Sequence, residues 1–339
     1  MTPVTLRHTV KAVLKRGALV AAANWQVTLI QSVADALFKL LVGAPLIGGI
    51  FLVALVVGDD PGALITLDSR VLAATIIGSL LSHPLVLVAF LLAMAVVVVG
   101  GSLFVFLVKG GTVGTLVAGE READLVERPP LQWSLVATAS KFSIERFIED
   151  AETLFPRYAR LGVALMVAYL VSGVAYFALV IASRTAGSTW GLPALITASF
   201  VCWITLINLV YLLTQIIVAA DDCGPGTAFR RVWVFVRRER RTVAGVFAVI
   251  LAMVVLATGA SLAATASLGV ITFVPFLGPF LGLAVLPLQI VAWLLHEIVF
   301  QYIGLASVGA YLKVYREFGA VETRVEAAPR LPVLGPAGT

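Results

Sequence analysis

Residues 85–108 read LVLVAFLLAMAVVVVGGSLFVFLV, twenty-four consecutive residues without a charge. As a helix this stretch is about 36 Å long at 1.5 Å per residue, enough to cross a hydrocarbon core of about 30 Å. A membrane β-barrel would need strands of about ten residues alternating apolar and polar, and this run does not alternate. Inside lipid every backbone N–H and C=O must be paired internally, so an uninterrupted apolar run of this length reads as a transmembrane helix.

Similar runs cover residues 160–183, 192–219, 243–268 and 280–312, and one more span lies within 21–58. The composition agrees: 60% of the residues are apolar and 13% charged, against roughly 45–50% and 25% in soluble domains. The reading is an all-α polytopic bundle of six spans, forming one membrane domain over residues 1–320, with a disordered tail at 321–339.

The lysines and arginines test the span count independently, because cytoplasmic loops are enriched in them. With the N-terminus inside, the four inner segments (1–17, 109–160, 220–241 and 313–339) hold 21 of the 24 basic residues. The outer loops hold only Arg70 and Arg184, and Lys39 falls within the first apolar region. Both ends are therefore expected in the cytoplasm. The head of the chain, with Arg7, Lys11, Lys15 and Arg16 before GALVAAA, has the outline of a signal peptide. Its apolar core of seven residues is too short, and the chain stays apolar beyond it.

Three basic or amphipathic segments each precede a pair of spans: TLRHTVKAVLKRGALV, FSIERFIEDAETLFPRYARLGV and GTAFRRVWVFVRRERRTVAGV. They suggest three helical hairpins, each led in by an interfacial helix. Phe142, Phe147, Ala151 and Phe155 share a helical face, as do Phe229, Trp233 and Val236. Arg230, Arg231, Arg237, Arg238, Arg240 and Arg241 are candidate ligands of anionic lipid headgroups, with docking of a cytoplasmic protein as the alternative use of the same surface. Nucleic acid is not an expected partner. For the first apolar region two arrangements fit: residues 5–38 lie on the inner surface with a span at 40–58, or a long helix begins near Asn24 and is disturbed at GAPLIGG. The first is preferred.

Ionisable or polar groups within spans are the remaining candidates. Asn24, Thr28, Gln31, Asp35 and Lys39 recur at helical spacing, and Asp35 to Lys39 is the favoured ion-pair order; an interfacial helix would simply turn them to water. Gln289, His296, Glu297 and Gln301 line one stripe of the last span, and Asn208, Tyr211 and Gln215 line another in the fourth. A polar seam between those spans would suit transport, although interhelical hydrogen bonding explains it equally well and is preferred. No catalytic residues, cofactor or metal are expected: HEIVF lacks the second His of HExxH, and no Walker A loop or G-x-S-x-G elbow occurs. The glycines of GGTVGTLVAGE are expected to end the second span, and the small residues of VLATGASLAATASLG to allow close helix packing. Cys202 lies in a span and Cys223 in a basic loop, too far apart for a disulfide.

Residues 216–250, IIVAADDCGPGTAFRRVWVFVRRERRTVAGVFAVI, with Ala228, Trp233 and the arginines in place and Val232 where a small hydroxyl residue is usual, resemble a segment of bacterial multi-pass membrane proteins. These are related to the membrane domain of glycerophosphoryl diester phosphodiesterases. The resemblance implies an inner-membrane module of unknown activity and carries over no functional residue. The functional expectation is a non-enzymatic module that organises lipids or partner proteins. A small-solute transporter or channel is the alternative, and an intramembrane enzyme acting on lipid would need Asp35 or Glu297 beside a second polar group.

Overall fold

The structure, a computed structural model, describes residues 10–57, 71, 78, 81–123, 126–127, 133–185, 191–272 and 278–327. Within the principal described segments the helices are α1 (Val10–Ala23), α2 (Trp25–Val57), α3 (Pro84–Glu122), α4 (Trp133–Thr138), α5 (Ile144–Thr185), α6 (Gly191–Ala220), α7 (Pro225–Arg238), α8 (Arg240–Thr272) and α9 (Gly278–Ala327). Six of these, α2, α3, α5, α6, α8 and α9, contain stretches long and apolar enough to cross a membrane. The chain is an all-α, multi-pass membrane protein.

Local chemistry sets the breaks. Pro84 and Pro225 stand in the first turns of α3 and α7, where the missing N–H costs nothing. The turn from α6 into α7 closes through the Cys223 N–H donating to the Val218 carbonyl at 3.3 Å, with Asp222 held at φ 48° in the left-handed region. That is the six-to-one bond of a Schellman ending, with aspartate where glycine is commonest. Between α1 and α2 the chain turns at Asn24. Its Nδ2 donates to the carbonyls of Val20 (3.0 Å) and Ala139 (2.9 Å), and its Oδ1 accepts from the Lys141 N–H (2.9 Å).

Consecutive spans pack as three hairpins: α2 with α3, α5 with α6, and α8 with α9. The hairpins join through α3 against α5 and α2 against α9, so the spans run α6, α5, α3, α2, α9, α8 as an arc. Among the described residues α6 and α8, the two ends of the arc, have no substantial contact with each other. The short helix α7 packs on both at one end.

The molecule is unevenly packed along its length. Its buried core lies at the end that carries α1, α7, the C-terminal halves of α3, α6 and α9, and the N-terminal half of α5. Here called the basic end, it is where Tyr158, Leu213, Ile216, Phe235, Tyr311 and Leu312 interdigitate at no more than 1% exposure. The membrane stretches are far more open: 39% of the most apolar window is buried in α6, and none of it in α5. Their outward leucines, valines and phenylalanines have acyl chains as natural solvent.

Several expectations need correction. The first apolar region is closer to the second arrangement, but without a break at GAPLIGG: α2 runs unbroken from Trp25 to Val57 with Pro45 inside it, so residues 25–38 belong to a span-length helix. One face of the basic head packs into the protein. Val13, Arg16, Gly17, Val20 and Ala21 of α1 are buried, and the helix is wedged against α9. The second amphipathic segment is the first half of α5, whose 42 residues make about 63 Å. The glycines at 110, 111 and 114 do not end α3; they seat α5, since a β-carbon at Gly111 would lie 2.6 Å from the Phe147 carbonyl oxygen. Most of the small residues between 257 and 267 are exposed instead of packed. Finally, helix α9 continues to Ala327, so residues 321–327 of the expected tail are helical, and 328–339 lie outside the described residues.

Candidate functional site

Charge at the basic end is organised around Arg16, which is 4% exposed. Its Nε donates to both Glu120 carboxylate oxygens at 2.8 and 2.9 Å, and Nη1 donates to Glu127 Oε2 at 2.9 Å. Nη2 reaches the carbonyls of Ala123 and, at 3.4 Å, Glu120. Burial alone would drag the guanidinium down, but the two carboxylates outweigh it and hold Arg16 above its ordinary value. Burial likewise pushes Glu127 up, yet a backbone hydrogen bond and Arg16 leave its carboxyl below the usual carboxylate range. Arg316 of α9 joins from the far side, donating to the Glu120 carbonyl at 2.7 Å. Glu120 thus ties α1, α3 and α9 together, through its carboxylate to Arg16 and its carbonyl to Arg316.

Beside this knot lies a cavity of about 690 Å³. Arg121 of α3, Arg230 and Arg231 of α7 and Arg316 of α9 line it, with Asp221 as its one acidic lining residue. Asp221 is already engaged, by Arg231 and by the Tyr315 hydroxyl, which donates to Oδ2 at 2.5 Å. Hydrogen bonding to Asp221 holds Arg231 above its ordinary value. Arg121 donates to the Ala220 carbonyl at 3.0 Å. Val117, Val234, Leu312 and Phe318 supply an apolar wall.

Helix α7 closes the cavity because its pattern has two apolar faces. Ala228, Val232 and Phe235 are buried in the core, while Phe229 and Trp233 are exposed. Of the expected headgroup ligands, Arg230 and Arg231 line the cavity. Arg237 stacks over Trp233 at 4.6 Å, Arg238 lies 5.8 Å from the Phe318 ring, and Arg240 and Arg241 are exposed at the start of α8. Val236, expected on the Phe229 face, is half-buried against the core.

Among the span candidates the structure assembles one cluster. Lys39 Nζ lies 2.8 Å from Asp35 and 2.6 Å from Glu297, joining α2 to α9. Glu297 is buried, whereas the Lys39 side chain is half exposed. The expected seam between the fourth and sixth spans does not form. Asn208 turns to α5, accepting from the Tyr169 hydroxyl at 2.5 Å, and His296 stacks on Phe300 of its own helix at 4.2 Å. Tyr211 and Gln215 are buried toward the basic end of α6, the Gln215 carbonyl accepting from Tyr158 at 2.9 Å, and Lys109 lies 5.5 Å over the Tyr211 ring. Gln289 and Gln301 are half-buried along α9. Gln31 accepts from Thr112 at 3.1 Å, and Asn24, Thr28 and Gln31 are buried, so this part of the stripe faces neighbouring helices, while Lys39 at its end stays half exposed.

Sequence reasoning missed Arg16, Glu120, Glu127, Arg121, Asp221 and Arg316. All lie in segments counted for their loop charge or amphipathicity, and for Arg16, Glu120, Arg121 and Arg316 the signal available was a position within a helix; Glu127 and Asp221 sit in turns and gave none. Among the described residues no group of three or more His, Cys, Asp or Glu side chains is placed to hold a metal ion. The chain matches no protein-family model, no curated protein and no solved structure.

Proposed function

We propose that this protein is a non-enzymatic module of a bacterial-type cytoplasmic membrane that gathers anionic lipids around its basic end, which faces the cytoplasm. The observation that carries this reading is the two-faced helix α7. It is pinned to the core by Ala228, Val232 and Phe235, and it presents exposed Phe229 and Trp233 beside Arg237, Arg240 and Arg241. Aromatics at the acyl boundary with arginines at the phosphates are the composition of a headgroup-level helix. The packing supports it too, for a closely packed basic end on open, lipid-facing spans suits a protein that orders its lipid surroundings. Residues 216–250, which include α7, are also the stretch resembling the phosphodiesterase membrane domains, a relationship that stays part of the proposal.

Purification in mild detergent followed by quantitation of copurifying lipids tests the reading. Anionic phospholipid should be enriched over the bulk membrane, and Arg237→Gln, Arg240→Gln and Arg241→Gln together should abolish the enrichment. Unchanged lipid ratios would refute the proposal, and a stoichiometric copurifying protein in their place would assign the same surface to docking.

A transport reading has one favourable observation, the Asp35, Lys39 and Glu297 cluster inside the spans. It is the weaker reading because Asn208, His296 and Glu297 point to three different partners and do not line the arginine-walled cavity.

A further inference from the structure

We propose that the arginine-walled cavity between α3, α7 and α9 is a discrete binding site for a phosphate-bearing anion. Four guanidinium groups from three helices converge on it against a single carboxylate, which pairs with Arg231 and accepts from the Tyr315 hydroxyl, leaving three guanidinium groups in excess. Arg121 and Arg316 are held by single backbone carbonyls, Ala220 at 3.0 Å and Glu120 at 2.7 Å, which fix their positions without cancelling their charge. The Glu120 carboxylate, 3.9 Å from Arg316, is already taken up by Arg16. Arg230 makes no hydrogen bond or ion pair among the described residues, so its full donor set is open to a ligand.

A second feature points the same way. The first turn of α7 contributes Thr227 to the cavity wall, and its N-cap is Gly224, a residue with no side chain to cap the turn. The backbone N–H groups at such a helix start lack helical partners and favour negative charge. A tetrahedral phosphate, with several oxygens and up to two charges, accepts from donors converging from several helices, which a planar carboxylate does less well. At about 690 Å³ the cavity has room for more than the phosphate itself, and Val117, Val234, Leu312 and Phe318 offer an apolar side to whatever carries it. The site differs from the proposed lipid surface, which uses Arg237, Arg240 and Arg241 outside the cavity.

The test uses the full chain purified in mild detergent. One arm titrates inorganic phosphate by calorimetry. The other compares nanodiscs of phosphatidylcholine with nanodiscs containing phosphatidylglycerol, reading protection of the cavity arginines from a guanidinium-modifying reagent. Saturable phosphate binding identifies a soluble source, and protection only with phosphatidylglycerol identifies the lipid headgroup; either supports the site. In the arm that responds, Arg230→Gln should weaken binding roughly ten- to a hundredfold, Arg230→Lys should recover part of it, and Arg160→Gln, exposed on α5 away from the cavity, should change nothing. Because Arg230 is exposed and unbonded, its replacement should leave thermal unfolding of the ligand-free protein unchanged. No saturable response in either arm overturns the proposal, as does an equal loss in Arg230→Gln and Arg160→Gln. Loss of copurified lipid enrichment without loss of this binding would refute only the lipid-gathering reading.

Discussion

A guanidinium as deeply covered as that of Arg16 is tolerated only because two carboxylates and two backbone carbonyls meet it. Removing one partner of such a pair leaves an uncompensated buried charge, which costs about 3–5 kcal/mol. Arg16→Ala should therefore lower the thermal unfolding midpoint in detergent sharply. The double variant Arg16→Ala/Glu120→Ala should lose much less than the two single losses added, as contacting residues do; strictly additive losses would show that the knot does not couple the helices. Glu127 gives the knot a pH dependence of known sign. Its carboxyl is held below the ordinary value of 4.5, so its stabilising share is complete above that value and disappears as pH falls through the depressed one. Unfolding followed from pH 7 to pH 3 should show an acid-labile component that is absent from Glu127→Gln.

At the scale of elements, close approach is set by glycine. A β-carbon at Gly17 would lie 2.3 Å from the Ala306 carbonyl oxygen and 2.5 Å from the Ala310 nitrogen, both backbone atoms that cannot swing aside. Gly17→Leu should force α1 off α9, at a cost of about 1–3 kcal/mol or more. It should also break the hydrogen bond from the Tyr302 hydroxyl to the Ala18 carbonyl, now 3.0 Å. Cross-linking of a cysteine pair placed across α1 and α9 reads the separation directly, and undiminished cross-linking would contradict the packing described. The helix α7 shows the limit of pattern reading. Its sequence announces amphipathicity, yet Phe229 and Trp233 at one spacing, and Ala228, Val232 and Phe235 at another, both qualify as the apolar face. Only the location of the core shows that the second set faces inward.

For the whole molecule, the charge asymmetry makes a prediction about sidedness. The basic end should face the cytoplasm, with Cys223 near its surface and Cys202 on the lipid-facing side of α6. In inside-out vesicles a membrane-impermeant maleimide should label Cys223 and leave Cys202 untouched; in right-side-out vesicles neither should react. Burial, followed by the charge of Asp221, pushes the Cys223 thiol above its ordinary value, so labelling should be slow at pH 7 and accelerate at pH 9. Labelling of Cys223 from the outer face would invert the topology and, with it, the lipid reading.

The long apolar runs and the clustering of 21 basic residues in four segments are one-dimensional properties. A bilayer reads them one segment at a time, so helix type, span number and expected sidedness were legible without any contact being known. Partners were not. Asp35 and Lys39 were visible as an i, i+4 pair, but Glu297 lies 258 residues from Lys39, and nothing local says that α9 lies beside α2. The same holds for Arg16 with Glu120, 104 residues apart, and for the four arginines of the cavity, which reach it from three helices. Which charges are buried and paired, and which converge on an open space, depends on the order in which the helices pack, and the tertiary structure alone decides that.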